Sequence, residues 1–115
     1  IMHKLYYDKF YFIDHCDTEL LSKQEKNTNI ILRNYTKKFT TKEVLKLKNY
    51  CKKKRFKLFI SNDIKLAIKL NLNGAYFPSF NKDFRHLNYK LKKEFLLIGS
   101  AHDISEVRVK NKQGI

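Results

Sequence analysis

Residues 58–79 read LFISNDIKLAIKLNLNGAYFPS. The apolar run Leu58 to Ile60 stops at Ser61-Asn62-Asp63, after which Ile64, Ala67, Ile68 and Leu72 recur at helical intervals until Asn73-Gly74 ends the pattern. A second apolar run, Ala75 to Phe77, follows at once and is cut short by Pro78. Both runs are continuously apolar and do not alternate in polarity, the signature of strands buried on both faces. A strand, a helix and a strand in so few residues make a parallel βα unit. Asn62-Asp63 at its turn reads in two ways. Asp63 caps the helix that opens at Ile64, the commoner role for Asp there, or the pair holds a charged ligand at the end of the strand.

The same unit recurs on either side. Phe10 to Ile13 is an aromatic and β-branched run ending in Asp14-His15, and Asp17 to Asn29, polar apart from the apolar pair Leu20-Leu21, reads as a short helix. Residues 30–33, Ile-Ile-Leu-Arg, form a buried-type strand with a charged last residue. Thr40-Thr41-Lys42-Glu43 has capping-box spacing, and Val44, Leu47 and Cys51 give the following helix its apolar stripe. Phe56 to Ile60 is the third strand and Ala75 to Phe77 the fourth. Phe84, Leu87 and Leu91 predict a fourth helix, and Phe95 to Ile98 a fifth strand leading into Gly99-Ser100-Ala101-His102. A last helix starts at the cap-like Asp103-Ile104-Ser105-Glu106 and runs to Gly114. Five strand-helix units predict an α/β fold with a parallel sheet, and no linker divides residues 1–115 into domains.

Composition narrows the function classes. The chain has 115 residues, 43% hydrophobic and 14% aromatic, which argues for a packed core and against disorder. Its formal charge is +14, which raises nucleic acid as a partner. Lys far outnumbers Arg, however, and the cations are spread along the whole chain without an Arg-rich stripe, which argues for a solvated basic surface instead. Cys16 and Cys51 are the two cysteines, without CxxC or Cys/His spacing, so a metal cluster is not expected and a reducing cytoplasm fits. No stretch reaches the roughly 20 apolar residues of a membrane helix. Glycine-rich dinucleotide and GxxxxGK[ST] patterns are both missing.

Parallel α/β proteins place ligands at the carboxyl ends of their strands, where loops are free and helix N-termini offer unpaired N–H groups. The residues there are Asp14 and His15; Arg33; Asn62 and Asp63; Pro78 to Asn81; Ser100 and His102. A cation, amides, hydroxyls and a carboxylate suit a phosphorylated substrate with a divalent cation between Asp63 and phosphate oxygens. Each also has a plain structural reading: Asp63 as a cap, Arg33 as a surface ion-pair partner, Ser100 as a strand end, and His102 as a solvent-facing or capping residue. His15, His86 and Cys16 read as structural or surface positions.

The series YFID, IILRNY, LFISND with IKLAIKLNLNGAYFPS, and LLIGSAHDISEV resembles the thiamine phosphate synthase and TenI family, in order and in rough spacing over about 100 residues. The ND-helix-NGAYF stretch is the most specific element. The resemblance implies a (β/α)₈ barrel, of which five strands would be present as the N-terminal part of a longer protein with little activity alone. It implies a transferase that joins hydroxymethylpyrimidine pyrophosphate to a thiazole phosphate and releases pyrophosphate. Carried over, Arg33, Asn62 and Ser100 would contact the pyrophosphate, Asp63 would bind Mg²⁺, and a second Mg²⁺ ligand would fall on Asn81, with Asp83 nearby. The family's Gln and Lys in the IILRNY segment are Ile31 and Tyr35 here. Those departures keep open a TenI-like thiazole tautomerase or a non-catalytic relative that binds a thiazole phosphate. The expected partners are phosphorylated pyrimidine and thiazole substrates; from another class, a basic nucleic-acid-binding module remains the alternative.

Overall fold

A computed structural model describes residues 9–34, 36, 38–101 and 103–115. It has a five-stranded parallel sheet, β1 Phe10–Ile13, β2 Asn29–Leu32, β3 Lys57–Ser61, β4 Gly74–Phe77 and β5 Leu96–Gly99, in the order β1-β2-β3-β4-β5. Each strand lies beside the one before it in sequence. The chain divides into two compact units, Ile1–Phe59 and Ile60–Ile115.

In the first unit β1 pairs with β2 from Phe10↔Asn29 to Ile13↔Leu32. Asn29 N donates to Lys9 O at 2.8 Å and Arg33 N to Ile13 O at 2.8 Å, extending the ladder at both ends. β2 is buried along its whole length, the apolar Ile30 to Leu32 as their pattern requires and Asn29 with its side-chain amide donating to Lys9 O at 3.1 Å. The helix α1 is confined to Thr18–Ser22. Asp17 caps it, and the left-handed Asn27 (φ 66°) redirects the chain into β2, so the polar stretch expected to carry a short helix is mostly turn. The capping box forms as the sequence predicts: Thr40 Oγ1 accepts from Glu43 N and Thr40 N donates to Glu43 Oε1, both at 3.2 Å, opening α2 over Thr41–Lys54. Its Val44, Leu47 and Cys51 are buried, together with Leu21, Ile30, Ile31, Leu58 and Phe59. Each large side chain so buried contributes roughly 1.5–3 kcal/mol of transfer free energy.

In the second unit Asp63 Oδ1 accepts from Leu66 N at 3.2 Å and starts α3, Ile64–Lys69. β4 is buried throughout and pairs with β5 from Gly74↔Leu96 to Phe77↔Gly99. α4, Ile104–Gln113, is capped by Asp103 and closed by left-handed Gly114 (φ 86°). A Cβ at Gly99 would lie 2.7 Å from Phe77 O and 3.2 Å from Lys110 Cδ, so only glycine fits where β5 meets that side chain.

The helix predicted from Phe84, Leu87 and Leu91 is not formed. The segment holds one 3-10 turn, Arg85–Asn88. The spacing of Phe84 and Leu87 is that of a three-residue period, but both side chains are exposed, and the buried member is His86. Asp83 takes the Arg85 N–H on its own carboxylate (2.8 Å) and fixes a local turn before any helix can extend.

Candidate functional site

In the second unit, Asn62, Asp63, Ile64, Lys65, Phe77, Asn81, Asp83, Arg85, His86 and Tyr89 line a cleft of about 220 Å³. Asn62 has φ 67°, a left-handed conformation that Asn tolerates better than other residues with a Cβ. Its N–H donates to Tyr76 O at 2.9 Å, and its Oδ1 accepts from Asn81 Nδ2 at 2.7 Å. The loop after β3 and the loop after β4 are thereby tied together beside Asp63. One oxygen of Asp63 caps α3, as the capping reading of the sequence expects, and the half-buried residue lies on the cleft wall.

Asn81 is braced from the other side. Its Oδ1 accepts from Asp83 N at 2.9 Å, and its backbone O accepts from Lys110 Nζ at 2.7 Å and from Gln113 Nε2 at 3.0 Å. Lys110 Nζ also donates to Gln113 Oε1 at 2.9 Å, and Gln113 Nε2 to Asp83 O at 2.8 Å. Lys110 and Gln113 are 5% and 0% exposed, unusual burial for a lysine amine and a glutamine amide. Burial pushes the Lys110 pKa down, opposed by Glu106. His86 closes the floor, with Nε2 2.6 Å from Gln113 O and its ring edge-on to Phe77 at 4.6 Å. These three residues were not singled out from the sequence as site-forming. Of the three apolar residues of α4, Ile104 and Val107 are exposed and Val109 is half-buried, while Lys110 and Gln113 are the residues the helix buries.

Asp83 is engaged by Arg85, which donates from Nε at 2.8 Å and from Nη2 to Oδ2. That bond, above all, holds the Asp83 pKa down at about 2.

Ser100 sits past the end of β5, where its Oγ accepts from Tyr76 OH at 2.8 Å and its N–H donates to Phe77 O at 3.1 Å. It does not line the cleft of Asn62 and Asp63. Arg33 belongs to the first unit. Its guanidinium stacks on the Phe12 ring at 4.1 Å and lines a separate pocket of about 250 Å³ with Asp14, His15, Asp17 and Leu20. His15 bridges two carboxylates there, Nδ1 to Asp14 Oδ1 at 2.6 Å and Nε2 to Asp17 Oδ2 at 3.5 Å, and the first contact is the main cause of its raised pKa. Ile31 is buried in β2. His102 and Tyr35 lie outside the described residues.

Among the described residues no three His, Cys, Asp or Glu side chains group as a metal site. With Asp83 held by Arg85 and the Asn81 oxygens taken by N–H donors, Asp63 is the carboxylate left to an ion. One carboxylate fits Mg²⁺ when substrate phosphates and water fill the remaining coordination positions, which is how this ion is commonly held. Among the described residues no helix is long and apolar enough to cross a membrane. No known protein family, curated protein or solved structure matches the chain.

Proposed function

We propose that the chain is a thiamine phosphate synthase-like transferase whose βα units are part of a (β/α)₈ barrel. The observation that carries this reading is the Asn81 Nδ2 to Asn62 Oδ1 bond, which gathers the carboxyl ends of two successive parallel strands around Asp63 in one polar cleft. The uninterrupted strand order supports the barrel, since barrels add each strand beside the last whereas doubly wound sheets reverse direction. In this reading Asn62 Nδ2, which bonds no other described residue, donates to the pyrophosphate, and Lys65 on the cleft wall adds positive charge. Asp63 would hold Mg²⁺, one of its oxygens being taken by the cap of α3. Mg²⁺ held there would supply charge neutralisation for the departing pyrophosphate. The bond from the pyrimidine methylene to pyrophosphate oxygen breaks, and the thiazole nitrogen then bonds the methylene carbon, so the protein acts electrostatically and needs no nucleophile of its own.

The single carboxylate left to a metal favours a second reading, a TenI-like protein that binds a thiazole phosphate with little demand for Mg²⁺. Full-length protein incubated with both phosphorylated substrates and Mg²⁺ separates the two. Release of pyrophosphate with formation of thiamine phosphate supports the transferase. Thiazole phosphate binding without turnover supports the second reading, and neither product nor binding by a folded protein rejects both.

A further inference from the structure

The first unit carries a second polar concavity, at the opposite ends of its strands. Lys26 and Lys53-Lys54-Arg55 come from segments far apart in sequence, and the fold joins them. Asn27 N donates to Arg55 O at 3.0 Å and Lys57 N to Thr28 O at 3.1 Å, where β2 and β3 begin. With Ser22 and Gln24 these four cations line a cleft of about 400 Å³ that has no carboxylate in its wall. The neighbouring Glu25 is already paired with Lys9 at 2.8 Å. On α2 the one acid, Glu43, is spent in the capping box, while Lys42, Lys46 and Lys52 are exposed. The field of the cleft therefore continues along the helix.

We infer that this cleft binds the phosphodiester backbone of single-stranded nucleic acid, a property independent of the proposed transferase site. In sequence the cations Lys53-Lys54-Arg55 stand in one run and Lys26 lies far from them, and charge alone argues for nothing more than a solvated surface. Folding groups four of them in a concave wall of donors, where closely spaced phosphates replace several counterions at once. Three of the four are Lys, which act as point charges on phosphate and carry no base code, so binding is indifferent to sequence. Partly unpaired lysines at the end of α2 also offset the helix dipole, but that role needs neither Lys26 nor a concavity.

The test is fluorescence anisotropy of a short labelled oligouridylate against the whole chain as salt is raised. Four phosphate contacts predict a log–log slope of about −3, an affinity falling roughly 50-fold between about 50 and 200 mM salt. Lys26→Gln with Lys53→Gln shallows the slope by about 1.4 and weakens low-salt binding. The control Lys69→Gln with Lys112→Gln, two exposed lysines of the other unit, leaves both unchanged. No binding at low salt overturns the inference. So does equal loss in the control, which means diffuse net charge. Binding of phosphatidylserine vesicles that matches the oligonucleotide and shares its dependence on Lys26 and Lys53 also overturns it, in favour of a membrane surface.

Discussion

Asn81 Nδ2 donates to Asn62 Oδ1 across 2.7 Å, so the residue that follows β3 and a residue in the loop after β4 hold one another. Asn62 does this from a left-handed backbone (φ 67°). Asn62→Gly keeps that backbone at no steric cost and deletes the amide, whereas Asn62→Ala deletes the amide and leaves a Cβ in a costly conformation. Urea unfolding should find the Ala variant less stable than the Gly variant by about 1 kcal/mol, while both lose pyrophosphate affinity alike. Equal stabilities would mean that the backbone of Asn62 relaxes when its side chain is removed.

Lys110 supports the same loop from beneath, and its burial has a consequence for pH. Its pKa is lowered in the fold by desolvation and by Lys82, against an opposing pull from Glu106. Between the lowered value and the ordinary one, the unfolded chain binds the extra proton, so the contribution of Lys110 to stability increases as pH rises through that window. The stability difference between wild type and Lys110→Met, followed by urea unfolding at alkaline pH, should move in favour of wild type as pH rises. A constant difference would show that the amine is not desolvated.

Cys51 has the opposite sign. Burial above all, with a smaller effect of Cys16, pushes its thiol up to about 12 from an ordinary 9.0. The unfolded chain loses this proton first, so stability present below pH 9.0 declines towards pH 12, by up to about 1.4 kcal/mol per pH unit. The decline should be missing in Cys51→Ala. At neutral pH a thiol reagent should modify half-exposed Cys16 in the native protein and reach Cys51 only on unfolding.

The Asp83 carboxylate, held by Arg85, should titrate near 2 in a side-chain carbonyl NMR experiment. Arg85→Gln should return it towards 3.8, the ordinary value. An unmoved Asp83 would show that backbone donors, and not the guanidinium, hold it down.

The strand-helix alternation was legible because each device is local. Residues 58–60 and 30–32 are continuously apolar, and Thr40 to Glu43 carry a complete capping box, so buried strands and α2 follow from short-range pattern. The segment around Phe84 was misread because its apolar spacing fits both helix and 3-10 turn, and the choice is made by the Asp83 carboxylate on Arg85 N. Within the cleft, Asn62, Asp63 and Asn81 could be named from their places at strand ends. Lys110 and Gln113 could not, because nothing near them in sequence reveals that Asn81 O and Asp83 O wait as acceptors some thirty residues earlier. Ser100 and Arg33 lie at strand ends as expected, but their contacts with Tyr76 OH and the Phe12 ring are set by tertiary packing.

Asp63→Asn tests the central claim most directly, because Asn caps a helix as well as Asp does and removes only the charge. Calorimetric titration of full-length protein with inorganic pyrophosphate, with and without Mg²⁺, should show Mg²⁺-dependent binding in wild type. In Asp63→Asn the melting temperature should stay close to wild type and the Mg²⁺ dependence should vanish. Binding that is equally tight and equally Mg²⁺-dependent in the variant would contradict the assignment of Asp63, and its absence from the wild type would contradict the pyrophosphate site itself.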